Sequence, residues 1–405
     1  MSARPSAGLS LFFSSVGHLY VHLFTAFYFV IALTLEEVWA LPYYQLIEYW
    51  ALGALLVGLA ALPAGWLADR WSPTGMMVIY FLGLGASAIV CGLVGGPLGL
   101  IIGLASLGFF ASIYHPVGIA WLVSIAPKKG RALGINGVFG AGGVAAAGLV
   151  AGGLIDLYSW RAAFIVPGVA AVLTGLAMWW ALRRGLILES PKITRTDQPA
   201  DQRKDMIKAF SLLLVTLTVM GLLFQATQAA LPKVFDLRLR DLAGEGAFGV
   251  GVLVAAVYTI GGLMQILGGY MADYLPLKRV YVIGFLLQIP VLMAVALFGG
   301  VPLVMVAALS VLLSTGALPA ENMMLARFTP PQHRSLAYGA KFVLAFGSAP
   351  FAIWFVSKVQ SQTGEFFWLF ATLAGLAGLA TLAALCLPEA RAAAADITPQ
   401  PQAAD

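Results

Sequence analysis

Charge is scarce in this chain. Asp, Glu, Lys and Arg together make up 10% of its 405 residues, against about 25% in an ordinary soluble domain. That shortage excludes a water-facing globule and a disordered chain alike, because both depend on polar or charged surface. Cysteine is almost missing. Cys91 and Cys386 are the only two, far apart and each inside an apolar run, which excludes a disulfide framework and leaves both as small packing residues. The motifs of nucleotide and hydrolytic chemistry are missing as well: no glycine loop followed by Lys and Ser/Thr, no HExxH and no GxSxG. The expectation is a protein that is not an enzyme, has no cofactor and no resident metal, and draws its energy from a gradient of ions or solutes. What the chain does have is apolar surface: 60% of its residues are hydrophobic, with 45 glycines that suit close helix contact in lipid. Mean hydropathy is +0.91. This composition defines an integral membrane protein whose first partner is the lipid bilayer.

A membrane helix needs about 20 mostly apolar residues, since about 30 Å of hydrocarbon is crossed at about 1.5 Å per residue. Twelve segments meet that length, near 10–33, 48–68, 75–94, 97–124, 132–154, 161–182, 209–232, 248–270, 279–298, 302–326, 336–357 and 364–387. The one long polar stretch, 185–208, separates six spans from six. The expected organisation is an N-terminal bundle (1–184), a central loop (185–208), a C-terminal bundle (209–388) and a tail (389–405). With both termini in the cytoplasm, only Arg161, Lys233, Arg238, Arg240 and Lys358 of the 23 basic residues fall outside. The net charge of +5 is therefore a positive-inside topology signal and no indication of nucleic acid. A cleaved leader is the rival reading of residues 1–40, but His18 and His22 interrupt its apolar region.

The two halves repeat each other. Gly65-Trp66-Leu67-Ala68-Asp69-Arg70, after span 2, aligns with Gly269-Tyr270-Met271-Ala272-Asp273-Tyr274, after span 8; farther on, Pro116, Pro127 and Arg131 align with Pro319, Pro330 and Arg334 in nearly the same register. A duplicated six-span unit with parallel topology is an arrangement of secondary transporters, with the substrate site near mid-membrane between the bundles.

The Gly65 to Arg70 turn resembles the signature loop between spans 2 and 3 of the major facilitator superfamily. The opening of span 6, Trp160-Arg161-Ala162-Ala163-Phe164, is similar to that family's as well, and the likeness covers essentially the whole chain. Within the family, Ser15-x-x-His18 and Tyr114-His115-Pro116 resemble the fosmidomycin-resistance-type efflux branch, which carries Asp where this chain has His22. Two marks of drug antiporters are absent: span 5 has no Gly-Pro, and Leu104 stands four residues before Gly108 where an arginine is usual. The resemblance implies an all-α fold with spans 1, 4, 7 and 10 around a central cavity. It also implies gating loops in which Asp69 holds the start of span 11 and Asp273 the start of span 5, with Gly65, Arg70, Gly269, Arg131 and Arg334 as the other loop residues. A carboxylate at a helix start suits that role because the exposed N–H groups there attract negative charge.

Ionisable groups in lipid are costly and mark function or pairing. His18 and His22, four residues apart, share one face of span 1, and His115 lies in span 4. They suit proton coupling, since imidazole titrates near neutral pH. Interhelical hydrogen bonds, bracing of the Pro116 kink by His115, or a three-imidazole metal site are the alternatives. Gln225 and Gln228 in span 7, and Glu321 with Asn322 in span 10, extend the expected substrate and proton pathway. Lys341 in span 11 lies at a depth comparable to Glu321, so the two are expected to pair, as a structural bridge or as part of a gate. Glu36, Glu37 and Glu48 surround the first external loop with no basic residue nearby in sequence, either drawing cations to the mouth or simply solvated. With Lys341 the clear cationic candidate at depth, a phosphate or dicarboxylate clamp is disfavoured.

These readings converge on a monomeric twelve-span transporter of a bacterial inner membrane, working by alternating access in proton-linked efflux of a small organic molecule. Uptake or uniport without protons is the rival within transport. A transporter-shaped receptor or assembly factor is the rival from another class.

Overall fold

Every span that hydropathy marks is a helix. The computed structural model describes residues 5–126, 129–189, 203–244, 246–328 and 334–388, with the side chains at 129–131, 203–209, 266, 269, 273, 326–327 and 334–339 outside that description. Among the described residues, twelve helical segments are long and apolar enough to cross a bilayer. Span 1 is Ala7–Val38, span 2 Tyr43–Arg70, span 3 Pro73–Leu93, span 4 Pro97–Ile125, span 5 Ala132–Leu157 and span 6 Trp160–Arg183. The second half follows with span 7 at Phe210–Arg238, span 8 at Ala247–Ala272, span 9 at Leu277–Leu297, span 10 at Gly300–Leu325, span 11 at Ala340–Thr363 and span 12 at Phe367–Leu385.

The repeat is visible in the packing. In the first half span 3 packs on span 6, span 1 on span 5 and span 2 on span 4; in the second, span 9 packs on span 12, span 7 on span 11 and span 8 on span 10. Between the halves, span 5 meets span 8 and span 11 meets span 2. Each contact thus has its counterpart six spans on, as a parallel duplication requires. The span 5–span 8 contact depends on glycine: a Cβ on Gly148 would lie 2.6 Å from the carbonyl oxygen of Gly251. The backbones touch there, as small residues allow in helix packing within lipid. Arginine ties down the ends of spans 3 and 9. Arg161 donates to the carbonyls of Gly92 and Val94, both at 2.8 Å, and Arg238, ion-paired with Glu365, donates to those of Val295 and Ala296.

Three helix irregularities fall where proline removes a backbone donor, while span 1 breaks at Phe27 without one. Span 2 breaks at Ala60, ahead of Pro63, and span 11 breaks at Ser348, ahead of Pro350. In span 4 a π-turn, Tyr114–Gly118, encloses Pro116, and such turns cluster at functional sites.

The helix that leads into span 7 begins at Arg203, inside the polar 185–208 stretch; the first residues of that stretch are pinned, with Ser6 N–H on the Leu186 carbonyl at 2.8 Å and the Trp121 indole on that of Leu188 at 2.8 Å. The acidic residues around the loop between spans 1 and 2 are not simply solvated. Glu36 lies in the helical end of span 1 and forms an ion pair with Lys233 of span 7, which also meets Asp236 at 2.8 Å. Glu48 accepts a hydrogen bond from Ser357 of span 11, while Glu37 is exposed. All these residues sit at the end of the bundle opposite to Ser6 and Leu387.

Candidate functional site

A cavity of about 310 Å³ lies between the halves, lined by residues of spans 1, 4, 5, 7, 8, 10 and 11. His18, His22, His115, Gln225, Glu321, Asn322 and Lys341 all reach it. Gln228 lines a smaller space beside it, together with His22 and Gln225. The eight expected pathway residues are thus gathered around one region. Most of the remaining wall is carbon, from Val144, Leu217, Met220, Phe224, Leu318, Phe342 and Phe346 among others.

Span 1 sets His18 and His22 on one face, one turn apart, and the π-turn of span 4 presents His115 to them. Their ring centroids lie 5.0 Å apart for His18–His22, 5.6 Å for His18–His115 and 5.4 Å for His22–His115. His18 is held most firmly. Its Nδ1 is 2.8 Å from the Asn136 carbonyl, its ring stacks on Tyr114 at 5.0 Å, and a Cβ on Gly140 would come within 2.6 Å of it. Glycine at 140 is what leaves room for the imidazole. Asn136 donates in turn to the Tyr114 hydroxyl at 2.8 Å. His115 leans on Phe346 and Phe342 of span 11, at 4.8 and 5.2 Å, so the cluster touches both halves.

Across the cavity, Glu321 and Lys341 pair at 2.7 Å with 1% and 7% of their side chains exposed. Tyr281 donates to the second Glu321 oxygen at 2.9 Å, and Lys341 donates to Asn322 at 2.5 Å. Both carboxylate oxygens are engaged and the charges cancel, which is the condition under which a buried ion pair survives. No arginine lines the cavity among the described residues, and its one lysine is already neutralised. The wall therefore offers no spare positive charge to an anionic solute.

Sequence reasoning missed several of these groups. Tyr258 and Gln265, seven residues apart in span 8, share a face and line the cavity; that spacing was a legible signal, but the family pattern had reserved the cavity for spans 1, 4, 7 and 10. The Tyr258 hydroxyl and the Gln228 amide nitrogen are buried with no hydrogen-bond partner among the described residues, so both can serve a solute. Asn136 and Tyr281 carry no local pattern and become visible only through what they touch.

The residues expected to form gating loops are less completely placed. Asp69 and Arg70 are exposed at the end of span 2, with Arg70 over the Trp66 ring at 4.0 Å, and Gly65 packs near Pro116. The helix Ala61–Arg70 contacts the helix Arg334–Gly347 that opens span 11. The side chains of Arg131, Asp273 and Arg334, and the surroundings of Gly269, lie outside the described residues.

Two pseudo-symmetric six-span bundles around a shared, mostly apolar cavity define a membrane transporter of the two-domain type. Residues 21–258 and 240–404 match the profile of the Major Facilitator Superfamily. The chain belongs to that family, whose members are transporters and not enzymes. It is 35% identical over 130 residues to the glycerol-3-phosphate transporter of Bacillus subtilis (strain 168), covering 29% of this chain and 28% of that one. It is 32% identical over 124 residues to a puromycin resistance protein of Streptomyces alboniger, covering 30% and 24%. The matched regions thus span less than a third of those relatives' own lengths. Among solved structures, a peptide transporter POT in complex with sulfate has a TM-score of 0.75 at 15% identity over 94% of each chain. An inward-facing, occupied bacterial homologue of the human lysosomal transporter Spinster has a TM-score of 0.70 at 14% identity over 95% of each.

Proposed function

We propose that this protein is a proton-linked secondary transporter that exports a small, mainly apolar organic molecule by alternating access. It works as a monomer in a bacterial inner membrane, with both termini cytoplasmic. The observation that carries the reading is the cavity between the bundles: largely carbon-walled, with amides and a tyrosine hydroxyl for orientation and one compensated charge pair. Such a wall suits a neutral, amphipathic or weakly charged solute. It does not suit a phosphate ester, whatever the local identity to a glycerol-3-phosphate carrier. Export is supported by the likeness to the fosmidomycin-resistance-type branch and by the partial match to a puromycin resistance protein.

Glu321 takes the coupling proton in this proposal, in preference to His18 or His22. Protonation would cancel its charge and leave the Lys341 ammonium without a counterion in a low-dielectric wall, a costly state that favours repacking of span 10 against span 11. The imidazoles have no carboxylate in their cluster among the described residues, so a proton there has less to compensate it. At the far end, the Lys233–Glu36 pair, Tyr43 bound to the Ala229 carbonyl at 2.8 Å, and Asp156 bound to the N–H groups of Ala247 and Phe248 all join the two halves. These contacts act as the external latch that must open for release.

The substrate would be identified by comparing solutes accumulated in cells with and without the protein, and coupling by pH-jump assays of the reconstituted protein. Substrate-driven proton movement is expected in the wild type and not in Glu321→Gln. Proton movement that persists in Glu321→Gln would remove Glu321 from the coupling role, and none in the wild type would leave facilitated diffusion.

A further inference from the structure

We propose that His18, His22 and His115 form a binding site for one first-row divalent transition-metal ion, of the Zn2+, Co2+ or Ni2+ class, on the cavity wall. This goes beyond the proton-linked reading, whose coupling rests on Glu321. One candidate ligand nitrogen from each ring lies within 4.8 Å of the other two. Tetrahedral coordination at about 2.0–2.1 Å places ligand nitrogens about 3.4 Å apart. Rotation of His22 and His115 can supply that closure, because neither ring holds a hydrogen bond among the described residues.

The second observation is the orientation of His18. The partner of its Nδ1 is a carbonyl oxygen, which can only accept, so Nδ1 carries the proton and Nε2 presents a bare lone pair. An imidazole that donates one ring N–H to a backbone carbonyl and offers the other nitrogen is the usual outer-shell arrangement of a metal-ligating histidine. His115 is aimed by the π-turn that encloses Pro116, a kind of helix defect that clusters at functional sites. Donor chemistry narrows the ion. Three imidazoles without carboxylate or thiolate suit borderline divalent ions and select against Mg2+ and Ca2+, which require oxygen. Three protein ligands leave at least one coordination position, and it faces the cavity, where water or a donor atom of the solute can complete the shell.

The test uses the full-length protein, purified in detergent through a tag without histidine, stripped with chelator and titrated with Co2+. One Co2+ per chain is expected, with the visible absorption of tetrahedral or five-coordinate cobalt and displacement by Zn2+. His18→Ala, His22→Ala and His115→Ala should each weaken binding by at least about tenfold, whereas Glu321→Gln should leave it unchanged. His22→Gln and His115→Gln, which keep polarity and approximate size, serve if an alanine variant fails to fold. Sub-stoichiometric cobalt in the wild type, or stoichiometric binding that persists in a folded variant lacking all three imidazoles, overturns the site. Because the readout is metal binding, its failure leaves proton-linked transport standing, and proton movement that persists in Glu321→Gln, which removes that coupling role, would leave the metal site standing.

Discussion

Glu321 is the residue whose environment demands most explanation, since a carboxylate with 1% of its side chain exposed can stay ionised only beside a fixed opposite charge. Removing one partner of such a pair strands the other and typically costs about 3–5 kcal/mol, whereas removing both can be nearly neutral. Thermal denaturation in detergent should therefore show Glu321→Ala and Lys341→Ala each melting well below the wild type, with the double variant above either single. A separate measurement concerns function: if the charge-exchanged protein, Glu321→Lys with Lys341→Glu, transports as well as the wild type with proton coupling intact, the carboxylate at 321 is only a partner. This pair was legible in the sequence, because counting residues inward from one membrane face put both side chains at similar depth. The Glu36–Lys233 pair was not. Each residue belongs to a different half of the chain, and in sequence each looks like part of a loop.

Among the helices, span 4 carries the feature with the sharpest consequence. Pro116 lacks the N–H that would continue an α-helix, and the chain accommodates this with the π-turn at Tyr114–Gly118. In Pro116→Ala the donor returns; relaxing the turn to α-geometry changes the phase of the helix by about 100° per residue and aims His115 away from His18 and His22. Cobalt titration should then show binding weakened by about tenfold or more in a protein that still folds, the order expected for a mis-set ligand; unchanged binding would mean that the turn does not set the site. Span 5 gives a second expectation. Valine at 148 would drive its side chain into the Gly251 backbone, and overpacking of this kind costs roughly 1–3 kcal/mol. Gly148→Val should lower the melting temperature and the initial transport rate, with Gly148→Ala milder. The proline breaks could be read in advance, but the true ends of spans 1 and 7 could not. Charged residues terminate a hydropathy window even where the helix itself continues, as at Glu36 and Lys233.

For the molecule as a whole, the contacts that join the halves at the end opposite to the termini close that end, which is the outer side in the proposed orientation. In a background of Cys91→Ala and Cys386→Ser, Gln225→Cys on the cavity wall should react slowly with a membrane-impermeant thiol reagent added to intact cells. Adding Lys233→Ala should speed that reaction severalfold by releasing Glu36 and Asp236. An unchanged rate would show that these pairs do not latch the outer face. The native chain also tests its own orientation. Cys386 is exposed and Cys91 buried, so the same reagent should label the unsubstituted protein in inverted vesicles and spare it in intact cells.

The number of spans, the division into two halves, the duplication and the family were all determined by the sequence alone. Hydrocarbon requires each crossing segment to satisfy its own backbone hydrogen bonds, and so makes every span a local property of about 20 residues. Even the identities of most polar residues that line the cavity were local, since polar groups stand out in apolar helices. Apart from Glu321 and Lys341, which of them meet was decided by tertiary structure alone. The third imidazole beside His18 and His22, the share of spans 5, 8 and 11 in the cavity, and a lysine and glutamate joined across 197 positions all depend on how helices rotate and cross. Those angles are set by side chains interlocking between spans that lie far apart in the chain, and no local periodicity encodes them.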